Sequence, residues 1–268
     1  MLRTEADVRR LVREAAEDDA RDGSGWLEIQ VDPSGYAARF GGITAFTDLV
    51  LDAVREAEGT TGMGMAVVIA ANRTRHPLDA RTLARLAAQY VGRGVVGFGL
   101  SNDERRGTTA DFAPAFTIAE RAGLVLTPHG GELLGAESVR MCLDSLHAQR
   151  LGHGIRVVED PALLERVVQQ QVVLEVCPVS NVALGVYSDL TSVPLPELLR
   201  AGAPVALGAD DPLLFGSRLA GQYATMRAAH ELTDAQLAEL GAMSIRASRA
   251  PEDVKRDLLS RVDDWLAH

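Results

Sequence analysis

Five short segments carry side chains able to do chemistry. His129 is followed by two glycines and Glu132; His153 stands between Gly152 and Gly154; Cys177 precedes Pro178, Ser180 and Asn181; Asn102, Asp103 and Glu104 are consecutive; Asp210 and Asp211 close an apolar run. An imidazole exchanges protons near neutral pH and ligates first-row metals, and a carboxyl three residues away can share its pocket without ligating the same ion. The alternative for this pair is a helix start, with His129 as cap and Glu132 in the first turn, where the helix dipole favours an acid. The glycines around His153 leave space beside its ring, for a reactive group or for a plain turn. Two adjacent acids on an apolar strand point to opposite sides, one toward the interior and one toward the rim. Buried and unpaired, they cost several kcal/mol, so a metal, a cation or a helix N-terminus must compensate. Pro212 suits a helix start, which makes an N-cap the alternative for Asp211. Of the remaining histidines, His76 follows a strand, His147 and His230 fall on helical stretches as solvated or packed groups, and His268 is terminal.

The elements that must position these groups alternate regularly. Short runs rich in Val, Leu and Ile predict strands at 26–31, 65–71, 94–100, 124–127, 150–153, 172–177 and 204–208. Amphipathic stretches lie between them, at 44–58, 79–91, 108–122, 137–148 and 160–170, with two or three more after Phe215. The first helix carries Val8, Leu11, Val12, Ala15 and Ala16 on one face, and the last carries Val254, Leu258, Val262 and Leu266 at period four. Alternation of this kind means βα units, parallel pairing and right-handed crossovers, with strands apolar on both faces. In a parallel barrel the C-terminal strand ends converge on one site, and here those ends hold the polar residues. A (β/α)8 barrel needs eight strands; seven are recognisable, and the chain opens on a helix. The expected fold is therefore an α/β, TIM-type (β/α)8 barrel missing its first strand and helix. No linker, repeat or low-complexity tract interrupts it, so residues 1–268 read as one incomplete barrel domain.

The composition narrows the partners. The chain has 268 residues, 47% hydrophobic and 24% charged, with a net charge of −10. An acidic balance argues against nucleic-acid and anionic-membrane partners, which need a basic surface. Two cysteines outside any CxxC spacing make neither a disulfide framework nor a cysteine-rich metal site. The charged opening is no signal peptide, and the apolar stretch at 63–71 is too short to cross a bilayer. The expectation is a reducing, cytoplasmic compartment.

The segments PHGGE at 128–132, RLGHG at 150–154, LEVCPVSN at 174–181 and LGADDPLLFG at 207–216, with WLEIQVDP at 26–33 and VVGFGLSNDE at 95–104, together resemble the adenosine deaminase family of the amidohydrolase group. The resemblance covers essentially the whole chain, with the motifs in the family's order and spacing. It implies zinc-dependent hydrolytic deamination of a 6-aminopurine or purine nucleoside, releasing ammonia, with one zinc per chain. By resemblance, His129 and Asp210 are zinc ligands. Glu132 protonates the ring nitrogen beside the amino-bearing carbon, and His153 holds and helps deprotonate the attacking water. Asp210 also orients that nucleophile, Asp211 hydrogen-bonds the purine, and Gly131 and Asn102 border the substrate. The division of labour is physically coherent: zinc brings the pKa of water toward about 7, and a carboxylic acid supplies the proton that the ring needs as charge builds. Cytidine-type deaminases pair a zinc-activated water with a non-ligand Glu in the same way.

Two features depart from the family pattern. Its zinc is also held by a His-x-His pair on the first strand, and no HxH occurs here. The absent strand and the absent ligand pair are one absence, and two protein ligands are fewer than the usual three. The expectation is weak or no zinc binding and poor deamination by the chain as written, with a natural start upstream of Met1. Asn102 stands where many members have glycine, which leaves adenosine, adenine, a modified adenosine and an aminofutalosine-like nucleoside open as substrates. The competing function is a catalytically inactive or truncated barrel that binds a nucleoside or a protein partner. Hydrolysis of a cyclic amide is a further option, against which stands the lack of a lysine to bridge two metals. Open barrel edges would favour self-association, or be filled by the N-terminal helix.

Overall fold

The computed structural model describes residues 2–268. Its strands are β1 (Trp26–Val31), β2 (Gly64–Asn72), β3 (Val95–Ser101), β4 (Val125–Gly130), β5 (Arg150–His153), β6 (Val173–Val176) and β7 (Val205–Leu207). They form one sheet in the order β1 to β7, and every neighbouring pair is parallel. All seven expected strands are present, within about three residues at each end. Consecutive parallel strands linked by helical crossovers are the topology expected of a TIM-type barrel without its first βα unit.

The described residues divide into two units. One runs up to Pro128 and includes Asp144–His147; the other holds His129–Leu143 and Ala148–His268. In the first, helix Glu5–Arg21 opens with a capping box between Thr4 and Asp7 and buries Val8, Val12 and Ala16 against helix Ile43–Thr61. Leu11, expected on that face, is 37% exposed. Helix Pro77–Gln89 starts on a proline whose missing N–H costs nothing at that position, and the His76 ring caps it by accepting from the Leu78 amide. The expected helix at 108–122 is two pieces, a 3-10 turn Thr109–Phe112 and helix Ala113–Arg121, with Pro114 in the first turn of the second, where its missing N–H costs nothing. β2 is buried from Met65 to Ala71, as a strand covered on both faces must be.

Helix Ala136–Leu146, which begins in the second unit, follows β4, and helix Pro161–Gln169 of that unit follows β5, as expected. Three short helices were not legible as separate elements: Pro178–Ala183, Leu195–Ala201 and Pro212–Phe215. Helices Leu219–His230, Asp234–Ala247 and Glu252–Ala267 close the chain. The last packs on Asp234–Ala247 through the Val254–Leu258–Val262 stripe, but none of its residues is buried, and Leu266 is exposed.

Candidate active site

Parallel strands deliver their C-terminal residues to one side, and in the second unit those residues are His129 on β4, His153 on β5, Cys177 after β6 and Asp210 after β7. His129 and Gly152 face each other across the β4–β5 ladder. A Cβ at Gly152 would lie 2.6 Å from His129 Nδ1, so this glycine is the space that the neighbouring imidazole occupies. The two imidazoles meet edge to face, with centroids 5.1 Å apart and planes at 66°. His129 is thus a strand residue and Glu132 lies in the loop before helix Ala136–Leu146; neither makes the helix start that was the alternative for this pair.

His153 is the centre of the arrangement. Its side chain is 3% exposed, its Nε2 lies 3.3 Å from Glu132 Oε1 and 4.0 Å from Asp210 Oδ2, and Asn181 Nδ2 lies 3.3 Å from its Nδ1. Burial pushes the imidazole down to about 4, which keeps the ring neutral at ordinary pH. Its φ of 64° and that of Asp210, 57°, are left-handed, a conformation that side chains other than Gly adopt at a cost of about 1–2 kcal/mol. Such strain gathers where surrounding structure over-determines a reactive group. Gly154 follows with the same hand and opens the 3-10 turn Ile155–Glu159.

The adjacent acids are arranged differently from the strand reading. β7 ends at Leu207, so Asp210 and Asp211 lie beyond it and do not alternate across a strand. The left-handed turn at Asp210 sends its carboxylate toward His153, its side chain 26% exposed. Asp211 takes extended backbone and caps helix Pro212–Phe215, its Oδ1 accepting from the Leu214 amide at 3.2 Å. The N-cap alternative for Asp211 is therefore present, and it leaves the other carboxylate oxygen uninvolved in the cap.

Gly131 has φ 76°, and a Cβ there would run into Val139. The need for glycine at this position is thus explained by backbone and packing. Asn102 follows β3 in the first unit, exposed, with φ 81°. Asn tolerates such left-handed backbone better than most residues, which suits it to this position. Its Oδ1 accepts from the Asp103 amide at 3.2 Å.

One group is not legible in the sequence. Cys177 Sγ, a nitrogen of His153 and an oxygen of Asp210 lie within 4.8 Å of one another. CxxC spacing gives no sign of Cys177; its place directly after an apolar strand was the available signal. Burial, then Asp210, Glu175 and Glu132, push this thiol well above its ordinary value. The carboxylates that oppose its ionisation create a negative potential, and N, O and S donors within reach in such a field suit a divalent cation of the zinc type.

Residues 1–265 match the adenosine deaminase family model. A putative adenosine/adenine deaminase of Streptomyces coelicolor is 63% identical over 99% of this chain and 77% of its own length. The crystal structure of an adenine deaminase from Arthrobacter aurescens superimposes with a TM-score of 0.93 at 31% identity, over 100% of this chain and 81% of that one. An amidohydrolase structure with bound Zn matches with a TM-score of 0.90 at 22% identity, over 100% and 77%, a likeness of fold.

Proposed function

Because the chain belongs to the adenosine deaminase family, we propose that it hydrolyses the exocyclic C–N bond of a 6-aminopurine, with adenine as the preferred substrate. Water adds its oxygen to C6, the amino group leaves as ammonia, and the ring becomes the 6-oxo purine. The observation that carries this reading is the convergence of Glu132, His153 and Asp210 around one buried imidazole. Adenine is favoured over adenosine because a solved relative, 31% identical, is an adenine deaminase.

The residues divide the work as follows. Glu132 delivers a proton to the ring nitrogen beside C6 as electrons move onto it, a step worth about 10²–10⁴-fold when the acid is well placed. His153, fixed by its neighbours, holds the attacking water. Asp210, whose carboxylate also faces His153 Nε2, orients that water. Asp211 uses the carboxylate oxygen outside its cap to hydrogen-bond the purine, and Gly131 lines the base. A zinc ion held by His129 and Asp210 would supply a water of lowered pKa. Asp210 belongs to the cluster with Cys177 and His153, His129 stands edge to face with His153, and with no HxH in this sequence such an ion would be held weakly.

The test is ammonia release from adenine, adenosine and N6-methyladenosine, with and without added zinc, alongside chromatographic detection of the oxo product. Adenine should be consumed fastest, and only with metal present. Binding of purines with no ammonia from any of them at saturating zinc would support the second reading, an inactive barrel that retains its ligand. No helix among the described residues is long and apolar enough to cross a membrane.

A further inference from the structure

We propose that Asn181 is a positioning residue that places the single ring proton of His153 on Nε2, so that His153 meets the reacting centre as a hydrogen-bond donor. The inference rests on the reading of His153 as part of the catalytic site and goes beyond it, because a residue that holds water can do so as donor or as base.

Asn181 lies on helix Pro178–Ala183 and is fully buried, 0% exposed. Its backbone is pinned at both ends: its N–H donates to the Cys177 carbonyl at 3.0 Å, and its carbonyl accepts from the Val186 amide at 2.8 Å. The side chain therefore has little freedom to choose another neighbour. Its Nδ2 lies 3.3 Å from His153 Nδ1, and its Oδ1 is buried with no hydrogen-bond partner among the described residues.

An amide nitrogen can only donate, so Nδ1 must be the accepting, unprotonated nitrogen of the ring. A neutral imidazole has one proton, and it then sits on Nε2. That nitrogen points at Glu132 Oε1, 3.3 Å away, and toward Asp210 Oδ2 at 4.0 Å. Asp210 Oδ2 and Glu132 Oε1 both accept, the proton that Glu132 delivers to the purine belonging to its other oxygen, so the two sides of the ring agree on one tautomer. A ring so held cannot take the proton of the attacking water at Nε2. It can hold that oxygen by donation and stabilise negative charge building there, while the proton leaves through a carboxylate. The orphaned Oδ1 fits the same account. The amide gives up a partner for its oxygen in an orientation that keeps its nitrogen on the imidazole.

The experiment is nitrogen-15 NMR of the histidine side chains in the full chain at neutral pH, with His153 assigned by its loss in His153→Gln. In the wild-type chain, Nδ1 of His153 should be pyridine-type and Nε2 pyrrole-type. In Asn181→Asp, which can only accept, Nδ1 should become pyrrole-type; in Asn181→Gln, which keeps a donor, the wild-type pattern should be retained. A wild-type ring protonated at Nδ1 would overturn the proposal, as would an Asn181→Asp chain with Nδ1 unchanged. A purely structural role would alter folding without moving the proton between nitrogens. The readout does not depend on turnover. A failed deamination assay beside the expected NMR pattern strikes only the function, and the reverse strikes only the assignment of Asn181.

Discussion

Two polar clusters sit at strand ends in this molecule, and they are built on opposite principles. At the ends of β2 and β3, polar groups close on each other locally. Asn72 Oδ1 accepts from the amide and hydroxyl of Thr74, and Asp103 pairs with Arg105 two residues on. Arg73, 2% exposed, donates to the Thr109 hydroxyl at 3.3 Å, and Gly107 turns with φ 71° so close to the Arg73 carbonyl that a Cβ would lie 2.8 Å from it. At the ends of β4 to β7 the groups come from separate crossovers and meet side chain to side chain. Two acids and an amide surround one neutral ring, with a thiol whose ionisation those acids oppose. The first cluster folds loops; the second concentrates unlike donors in a negative field, an arrangement whose use is chemical. In the sequence both are simply polar residues after an apolar run.

The largest expected contrast is in turnover. Glu132→Gln should lower the ammonia-release rate of the zinc-supplemented chain about 10²–10⁴-fold while leaving its unfolding midpoint in place. If the rate holds, Glu132 belongs with the loop-folding cluster. Arg73→Ala should do the opposite, costing about 2–5 kcal/mol in denaturant unfolding because it empties a fully buried site and takes the donor from the Thr109 hydroxyl. Near-wild-type stability with lost activity would move Arg73 into the chemistry.

His153 gives the second cluster a pH signature. Its folded value, about 4, is below the unfolded 6.5, so between those values the unfolded chain binds the extra proton. Stabilisation from the neutral ring is complete above pH 6.5 and is lost as pH falls toward 4, by about 3 kcal/mol. Urea titrations of the chelator-treated chain should show this slope, and His153→Gln should flatten it; an equal slope in both places the pH sensitivity elsewhere. Gly152→Ala should displace the His129 ring and cost about 1–3 kcal/mol. It should also weaken zinc retention on dialysis, and an unaltered metal content would remove His129 from the ligand set. The smallest effect belongs to position 102. Asn102→Gly should change stability by less than about 1 kcal/mol and leave the adenine-to-adenosine rate ratio unchanged if backbone alone selects this residue; a shifted ratio would restore its side chain to the base pocket.

Much of this was legible from periodicity and position. Seven strands and their order follow from apolar runs spaced by amphipathic stretches, because buried parallel strands have few other ways to be written. The short helices at 178, 195 and 212 were not, since four to seven residues leave no period to detect. His129, Glu132, His153 and Asp210 were singled out by falling after strands. Asp210 and Asp211 were misplaced onto β7 because nothing in the letters marks a left-handed turn at a non-glycine residue. Cys177 and Asn181 were visible as members of a motif, but their partners are set by neighbouring strands and helices, which one-dimensional spacing does not encode.

The glycine of β5 that makes room for the ring on β4 means that these two strands cannot be altered independently. A mutagenesis library that varies position 152 alone will recover glycine almost without exception. One that varies 129 and 152 together gains freedom in proportion to how far the imidazole shrinks. Replacing the imidazole on β4 is therefore a two-position problem, decided at a residue that has no side chain to offer.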